Sequence, residues 1–364
     1  MISMNRNNLT LIIDGNWFLM SRMFVMVKKF SKDQSEQAKQ ASTQDLCDML
    51  GQSISIILNK FRLIDNIVVV SDGGSWRKEI PIPAQLKDTT YKGSRTQQSE
   101  LDWDLVWSSF NEFLNRLRSA GVTVSQGYEI EGDDWAWYWT RRLNNNEIST
   151  LIWTSDCDLK QLVQTKGSSF TGWYNDKAGL VLPGECKTPD DPLEYFLNPP
   201  FINNYIIQLT KQIQQTSYIN PQEIAINKIL CGDQGDNIKS IVRFKKNERT
   251  YKFSQKDYEK LLDKIKINNV NDILNQKETI AENIINSKKF APYKFSTEQI
   301  CEMLDYNTKL VWLNEKVIPQ PIITQMCQQK YKIINTDNFR NNYSSFIKDN
   351  TKEADLEEIF NGCF

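Results

Sequence analysis

Acidic residues stand directly behind short apolar runs in this chain. Asp14 follows Leu9-Thr10-Leu11-Ile12-Ile13, Asp72 lies just beyond Asn66-Ile67-Val68-Val69-Val70, and Asp156 and Asp158 follow Thr150-Leu151-Ile152-Trp153. Two more groups, Glu131-Gly132-Asp133-Asp134 and Gly232-Asp233-Gln234-Gly235-Asp236-Asn237, fall at the start of one predicted helix and behind another. Any one of these acids alone reads as a helix cap or turn residue, since Asp is favoured in both roles. Five groups at equivalent places in the pattern ask for a joint explanation. Converging carboxylates repel one another and gain proton affinity unless cations neutralise them. Hard, oxygen-liganded ions such as Mg²⁺ or Mn²⁺ meet that need. Two of them suit phosphoryl chemistry, because one can activate a water while both stabilise charge on the attacking and leaving oxygens.

What is missing narrows the chemistry further. The 364 residues include no histidine. That excludes imidazole-based catalysis, Ser-His-Asp triads among it, and leaves carboxylates, lysines, hydroxyls and thiols. A phosphatase that forms an aspartyl phosphate would want Asp-x-Asp after the first strand, where this chain reads Asp14-Gly15-Asn16. The Gly-x-x-x-x-Gly-Lys-Ser/Thr loop of P-loop NTPases is absent.

The acids need elements that deliver them to one place. Apolar runs at 9–13, 66–70, 122–124 and 150–153 alternate with helical stretches, of which Glu131 to Leu143 is the clearest. This is the rhythm of a parallel sheet covered by helices. In such a sheet the carboxyl ends of all strands share one edge, where ligands bind. Segments 168–174 and 179–182 predict a hairpin at the sheet edge. From about Pro189 prolines punctuate helical segments and Asn, Lys, Ile and Gln become frequent, which places a boundary there. Helices are expected at 222–230, 255–265, 270–285 and 298–313.

Hydrophobic residues make up 40% of the chain, enough for one large or two modest cores. No apolar run approaches bilayer length, and the early apolar stretch is interrupted at Asp14, so neither a membrane span nor a signal peptide is expected. Seven cysteines, an odd number without Cys-x-x-Cys spacing, argue against a disulfide framework and a zinc site, and a reducing cytoplasm is the expected location. With 44 Lys+Arg against 45 Asp+Glu the net charge is −1, so any nucleic-acid surface has to be a local basic patch.

Taken together, the blocks Asp14-Gly15-Asn16, Ser71-Asp72-Gly73-Gly74 with Trp76-Arg77, Tyr91-Lys92-Gly93-Ser94-Arg95, Glu131-Gly132-Asp133-Asp134, Ser155-Asp156-Cys157-Asp158-Leu159-Lys160-Gln161-Leu162 and Gly232-Asp233-Gln234-Gly235-Asp236-Asn237-Ile238 resemble the structure-specific 5′-nuclease family of flap endonucleases and phage 5′-exonucleases. The specificity lies in their order and spacing over residues 14 to 238. The resemblance implies an α/β fold with a PIN-like parallel sheet flanked by helices, a helical arch at about 75–100, and a mostly helical C-terminal part. In these terms 1–188 is the nuclease core, 189–350 a helical nucleic-acid-binding part contributing Asp233 and Asp236, and 351–364 a tail. It further implies that Asp14, Asp72, Glu131 and Asp133 serve one Mg²⁺ and Asp156, Asp158 and Asp233 a second, with Asp133 open to both and Mn²⁺ able to substitute. Asp134 and Asp236 match family acids placed behind these. Lys92 and Arg95 match cationic residues of the arch, expected to be catalytic and to contact nucleic acid. A cation there would offset charge on the scissile phosphate, and Arg can grip it bidentately. Arg77 is expected on the nucleic-acid surface.

The pattern departs from the family after Ile238. Most members continue Pro-Gly-x-x-Gly-Ile-Gly, a helix-hairpin-helix, where this chain reads Lys239-Ser240-Ile241-Val242-Arg243-Phe244-Lys245-Lys246. The glycines are missing, and the chain is most similar to the divergent phage branch that includes the T-even ribonuclease H. Lys239, Arg243, Lys245, Lys246, Arg249 and Lys252 face only Glu248 among nearby acids, so side chains can supply salt-dependent phosphate binding. Phe244, Tyr251 and Phe253 are expected in the core. The expected activity is 5′-to-3′ exonuclease or flap endonuclease cleavage, including ribonuclease H action, that removes RNA primers or 5′ flaps from DNA during phage replication. The protein is expected to act as a monomer. The rivals are a PIN-type ribonuclease and a non-catalytic DNA-binding accessory protein of the same fold. The end of the chain, Glu353 to Phe364, resembles sliding-clamp peptides, which makes a clamp or single-strand-binding protein the expected partner.

Overall fold

Parallel strands carry the acids. A computed structural model describes residues 9–32, 34–86, 90–93, 100–184, 209–213 and 215–350. They divide into two units. The first takes the described residues of 9–74, 100–219 and 321–350, and the second those of 75–93 and 220–320.

The sheet of the first unit comprises β1 (Leu9–Asp14), β2 (Asn66–Val70), β3 (Thr123–Ser125), β4 (Ser149–Trp153), β5 (Gln164–Lys166), β6 (Ser169–Asn175), β7 (Gly179–Pro183) and β8 (Thr216–Ile219). Its order is β3-β2-β1-β4-β6-β7-β8, with β5 paired to β6. The pairs from β3 through β6 are parallel, and β6 and β7 form the expected antiparallel pair. That hairpin is not at the sheet edge, because Thr216–Ile219 adds a parallel strand outside β7. β1, β2 and β4 are buried along their whole length, which is why they read as unbroken apolar runs rather than alternating ones.

Helices α1 (Gly15–Met26), α2 (Glu36–Lys60), α3 (Trp103–Ser119) and α4 (Gly132–Asn145) belong to this unit. Asp14, Ser35 and Asp102 each cap a helix start through a side-chain oxygen. Residues 321–350, expected with the C-terminal part, belong to the first unit instead. Phe339, Tyr343 and Phe346 join its core, and the Arg340 guanidinium donates to the carbonyls of Leu58, Arg62 and Ile64 at the end of α2. Helix α2 thus gains a donor for one of its orphan terminal carbonyls, that of Leu58, from a residue 282 positions away.

The second unit packs α5 (Pro221–Cys231), α6 (Gln255–Leu262), α7 (Val270–Asn275), α8 (Lys277–Ile285) and α9 (Thr297–Val311) around a core of Ile229, Leu230, Ile273, Ile280 and Leu304. The single helix expected over 270–285 is broken at Gln276, whose ψ of 24° leaves the helical region. The segment after Ile238 is not helical: β9 (Arg243–Lys246) and β10 (Arg249–Lys252) form an antiparallel ribbon. Its two-residue turn, Asn247-Glu248, has φ of 48° and 63°, the left-handed pair that a type I′ hairpin turn requires. Of the aromatic residues expected in the core, Phe253 is buried, Phe244 is half-buried and Tyr251 is exposed. The expected helical arch lies partly outside the described residues. Its described part forms 3₁₀ turns at Trp76–Glu79 and Ala84–Leu86 and no α-helix. The C-terminal tail also lies outside them. Among the described residues Cys47, Cys157, Cys231 and Cys301 are free.

Candidate metal centre

Strand register decides which acids meet. Asp14 is level with Val70, and Ile13 with Trp153. The residues leaving β1, β2 and β4 therefore emerge together at one edge of the sheet. Asp14 is buried there. Its Oδ1 accepts the Trp17 N–H at 3.1 Å and its Oδ2 accepts the Thr154 hydroxyl at 2.7 Å. The Thr154 oxygen in turn accepts the Asp156 N–H at 2.9 Å, and Asp156 Oδ1 accepts the Asp158 N–H at 2.8 Å. One buried threonine thus links the acid of β1 to both acids that follow β4.

Asp72 is held from two sides. Asn16 Nδ2 donates to its Oδ2 at 2.8 Å, while Asn16 Oδ1 accepts the Ser71 hydroxyl and the Asp72 N–H, each at 3.0 Å. The Gly132 N–H, at the head of α4, donates to Asp72 Oδ1 at 2.6 Å. Gly73 makes this approach possible. Its N–H reaches the Ile130 carbonyl and its carbonyl accepts the Glu129 N–H, and a Cβ at this position would meet the Gly127 carbonyl oxygen at 1.9 Å. The turn that carries Asp72 is thereby laced to the segment that carries Glu131. Glu131 is buried and Asp133 half-buried on the first turn of α4. Asp134 is fully buried and closes a capping box with Glu131, so its carboxylate secures the start of the helix.

Burial pushes the Asp14 carboxyl up to about 7. The Thr154 hydroxyl and Trp17 N–H oppose this, and the negative charges of Asp156 and Asp72 add to it. An all-oxygen donor set at this edge fits hard divalent cations.

In the second unit Asp233 and Asp236 share a loop closed by paired backbone hydrogen bonds between Asp233 and Ile238, at 2.9 and 2.7 Å. Gly232 turns the chain there with φ 78°, and a Cβ would meet the Ile238 carbonyl oxygen at 2.6 Å. Lys92, itself at φ 56°, donates its N–H to the Asp236 carbonyl at 2.9 Å, and Asn237 Nδ2 donates to the Thr90 carbonyl at 2.8 Å. The arch residue and the acid loop expected from sequence are therefore neighbours. Asp233 is ion-paired with Lys228 and accepts the Gly235 N–H. Burial would raise its carboxyl, but the Lys228 ammonium together with the Gly235 and Asp236 N–H groups holds it below the ordinary value.

Not every expected site residue is at a surface. Arg77 is 2% exposed, its Nε donates to the Leu310 carbonyl at 3.0 Å and its guanidinium lies over the Trp76 ring, so it secures the second unit rather than facing a phosphate. Arg95 lies outside the described residues. Arg243, Lys245 and Lys246 are exposed on the ribbon, and Lys239 is half-buried and hydrogen-bonded to Asn237. Sequence reading assigned no role to Asn16, Thr154, Lys228 or Asn307. The first two lie beside recognised acids. Asn307 is fully buried and joins the Ile229 and Lys239 carbonyls through Nδ2, at 2.8 and 2.9 Å, with no signal in the sequence beyond a polar residue on an apolar helix face.

No protein-family profile matches the chain, and no curated protein does. Solved structures do. The D15 protein of bacteriophage T5, co-crystallised with metal ions, is 14% identical with a TM-score of 0.50, over 95% of this chain and 100% of that one. The T5 5′-exonuclease with bound divalent metal ions (zinc) is 15% identical, TM-score 0.44, over 94% and 98%. The catalytic core of Rad2 in complex with DNA substrate is 12% identical, TM-score 0.33, over 87% and 76%. The chain has the fold of the structure-specific 5′ nucleases, a mostly parallel sheet flanked by helices.

Proposed function

We propose that this protein is a divalent-metal-dependent 5′ nuclease that hydrolyses phosphodiesters near the 5′ end of nucleic acid, with RNA primers or 5′ flaps on duplex DNA as its substrates. The observation that carries this reading is the gathering of Asp14, Asp72, Asp156 and Asp158 at one sheet edge, with the Gly132 N–H joining the head of α4 to Asp72. Asp14, Asp72, Glu131, Asp133, Asp156 and Asp158 would hold Mg²⁺ or Mn²⁺ in this unit, and Asp233 and Asp236 are the acids the second unit offers. Bound there, such ions supply an activated water and stabilise charge on the scissile phosphate.

The protein's own groups prepare the site. Thr154 fixes the Asp14 carboxylate while ordering the backbone of Asp156, and Asn16 and the Gly132 N–H fix both oxygens of Asp72. Carboxylates held this way need little reorganisation to receive cations. Lys92 brings a positive charge to the loop of Asp236, where it would steady phosphate charge without taking a metal position. The absence of histidine is consistent with chemistry that takes its base from a metal-bound water. The test is cleavage of labelled flap, nicked and RNA-primed duplexes with Mg²⁺, Mn²⁺ or EDTA. Asp72→Asn and Asp156→Asn should abolish cleavage and leave duplex binding largely intact. Cleavage that persists in EDTA would overturn the proposal.

A further inference from the structure

The second unit contains a cavity of about 380 Å³ that none of the candidate catalytic acids lines. Its polar side carries Lys239, Arg243 and Lys245, and its apolar wall includes Leu86, Ile300 and Met303. The amide side chains of Gln85 and Gln299 also line it, with Gln85 Nε2 donating to the Gln299 carbonyl at 2.9 Å. Among the described residues none of the three cations has an acidic partner.

The surrounding ribbon adds to the positive charge. Its register sets Arg243 opposite Lys252 and Lys246 opposite Arg249, and like charges facing across a strand pair are destabilising. Burial, with Arg243 nearby, holds the Lys239 ammonium below its ordinary value. Phe244 also lines the cavity, its ring fixed by stacking on Tyr251 at 5.2 Å and on Tyr293 at 3.5 Å between centroids. The apolar surface on offer, Phe244 and Phe295 beside the aliphatic Leu86, Ile300 and Met303, suits a sugar or base, while the cations suit a phosphate.

We propose that this cavity binds a nucleoside phosphate, its phosphate on Lys239, Arg243 and Lys245 and its sugar and base against Leu86, Ile300 and Met303. The ligand is either a free nucleotide or one nucleotide unit of a strand, since the chemistry is shared. The cavity itself does not depend on the nuclease reading; only the choice of a strand nucleotide as its source rests on that reading. The like-charged ribbon then has a physical explanation: a phosphate relieves the repulsion built into its register.

The test titrates the full-length protein, in EDTA so that no divalent ion recruits phosphate to the acid edge, with dAMP, deoxyadenosine or inorganic phosphate by calorimetry. dAMP should bind about tenfold or more tighter than either fragment, because one site uses both halves. Gln85→Trp, at an exposed rim position, and the double variant Arg243→Gln/Lys245→Gln should each weaken dAMP by about tenfold. A labelled duplex in the same buffer separates the sources. If dAMP competes with it and both variants weaken it, the cavity takes a nucleotide of the strand, and if only dAMP binding changes, it takes the free nucleotide. Phosphate binding as tightly as dAMP, or dAMP binding untouched by Gln85→Trp, would overturn the inference. Absence of cleavage with Mg²⁺ would count against the nuclease reading alone and leave these titrations interpretable.

Discussion

Replacing Asp14 with asparagine should stabilise the metal-free protein above neutral pH, although the residue stands at the centre of the acid cluster. The carboxyl has an ordinary value of 3.8 and is pushed up to about 7 in the fold, by burial first and by the charges of Asp156 and Asp72 in addition. The folded state therefore holds this proton more tightly than the unfolded chain. Between about pH 4 and pH 7 the native state binds it while the unfolded state releases it, so stability falls as pH rises through that window. About three pH units at ~1.4 kcal/mol each make the full loss about 4 kcal/mol above pH 7.

Asparagine is nearly isosteric and carries no charge. It can still accept the Trp17 N–H through its carbonyl oxygen, and its amide can donate to the Thr154 hydroxyl. Asp14→Asn should thus match the parent near pH 4 and exceed it by a few kcal/mol at pH 8 in EDTA. Urea unfolding followed by tryptophan fluorescence measures this in the relevant unit, because only Trp76 and Trp312 of the ten tryptophans fall in the second unit. Adding Mg²⁺ should reverse the ranking at pH 8, since the parent gains stability from binding and the variant loses a ligand. A difference independent of pH, or an Asp14→Asn protein less stable than the parent in EDTA at pH 8, would refute the reasoning.

Lys92→Ala should lower the cleavage rate far more than it weakens duplex binding, read from single-turnover rates beside equilibrium binding; equal losses in both would make Lys92 an ordinary binding residue. Neutralising Lys245 and Lys246 together should reduce the slope of log affinity against log salt by about 2, as expected when two phosphate contacts disappear. An unchanged slope would make the ribbon a solvated surface. Asn307→Leu should destabilise the second unit by about 2–4 kcal/mol, because it leaves the Ile229 and Lys239 carbonyls buried without their donor. Hydrogen exchange confined to residues 220–320 would register this loss, and unchanged protection there would remove Asn307 from the account.

The acids that follow β1, β2 and β4 were legible in the sequence for a simple reason. Strands buried on both faces must be continuously apolar, so a carboxylate just behind such a run marks the carboxyl edge of a parallel sheet. The cap at Asp14, the capping box of Glu131 and Asp134, and the helical nature of α5, α6 and α9 follow from equally local rules. The ribbon β9–β10 did not. Arg-Phe-Lys-Lys and Arg-Thr-Tyr-Lys show little apolar alternation, and the Asn247-Glu248 turn lacks the glycine that usually announces a type I′ turn. Arg77 could not be told from a surface cation, because burial of a guanidinium depends on a carbonyl 233 positions away at Leu310. The return of 321–350 to the first unit, the Lys228 ion pair on Asp233 and the Thr154 link between Asp14 and Asp156 are long-range or orientational facts of the same kind. Local residue types determined which groups could do chemistry and on which edge they emerge. Only packing between distant segments decided which of them are held, paired or buried, because those outcomes depend on partners that lie close in space but far apart along the chain.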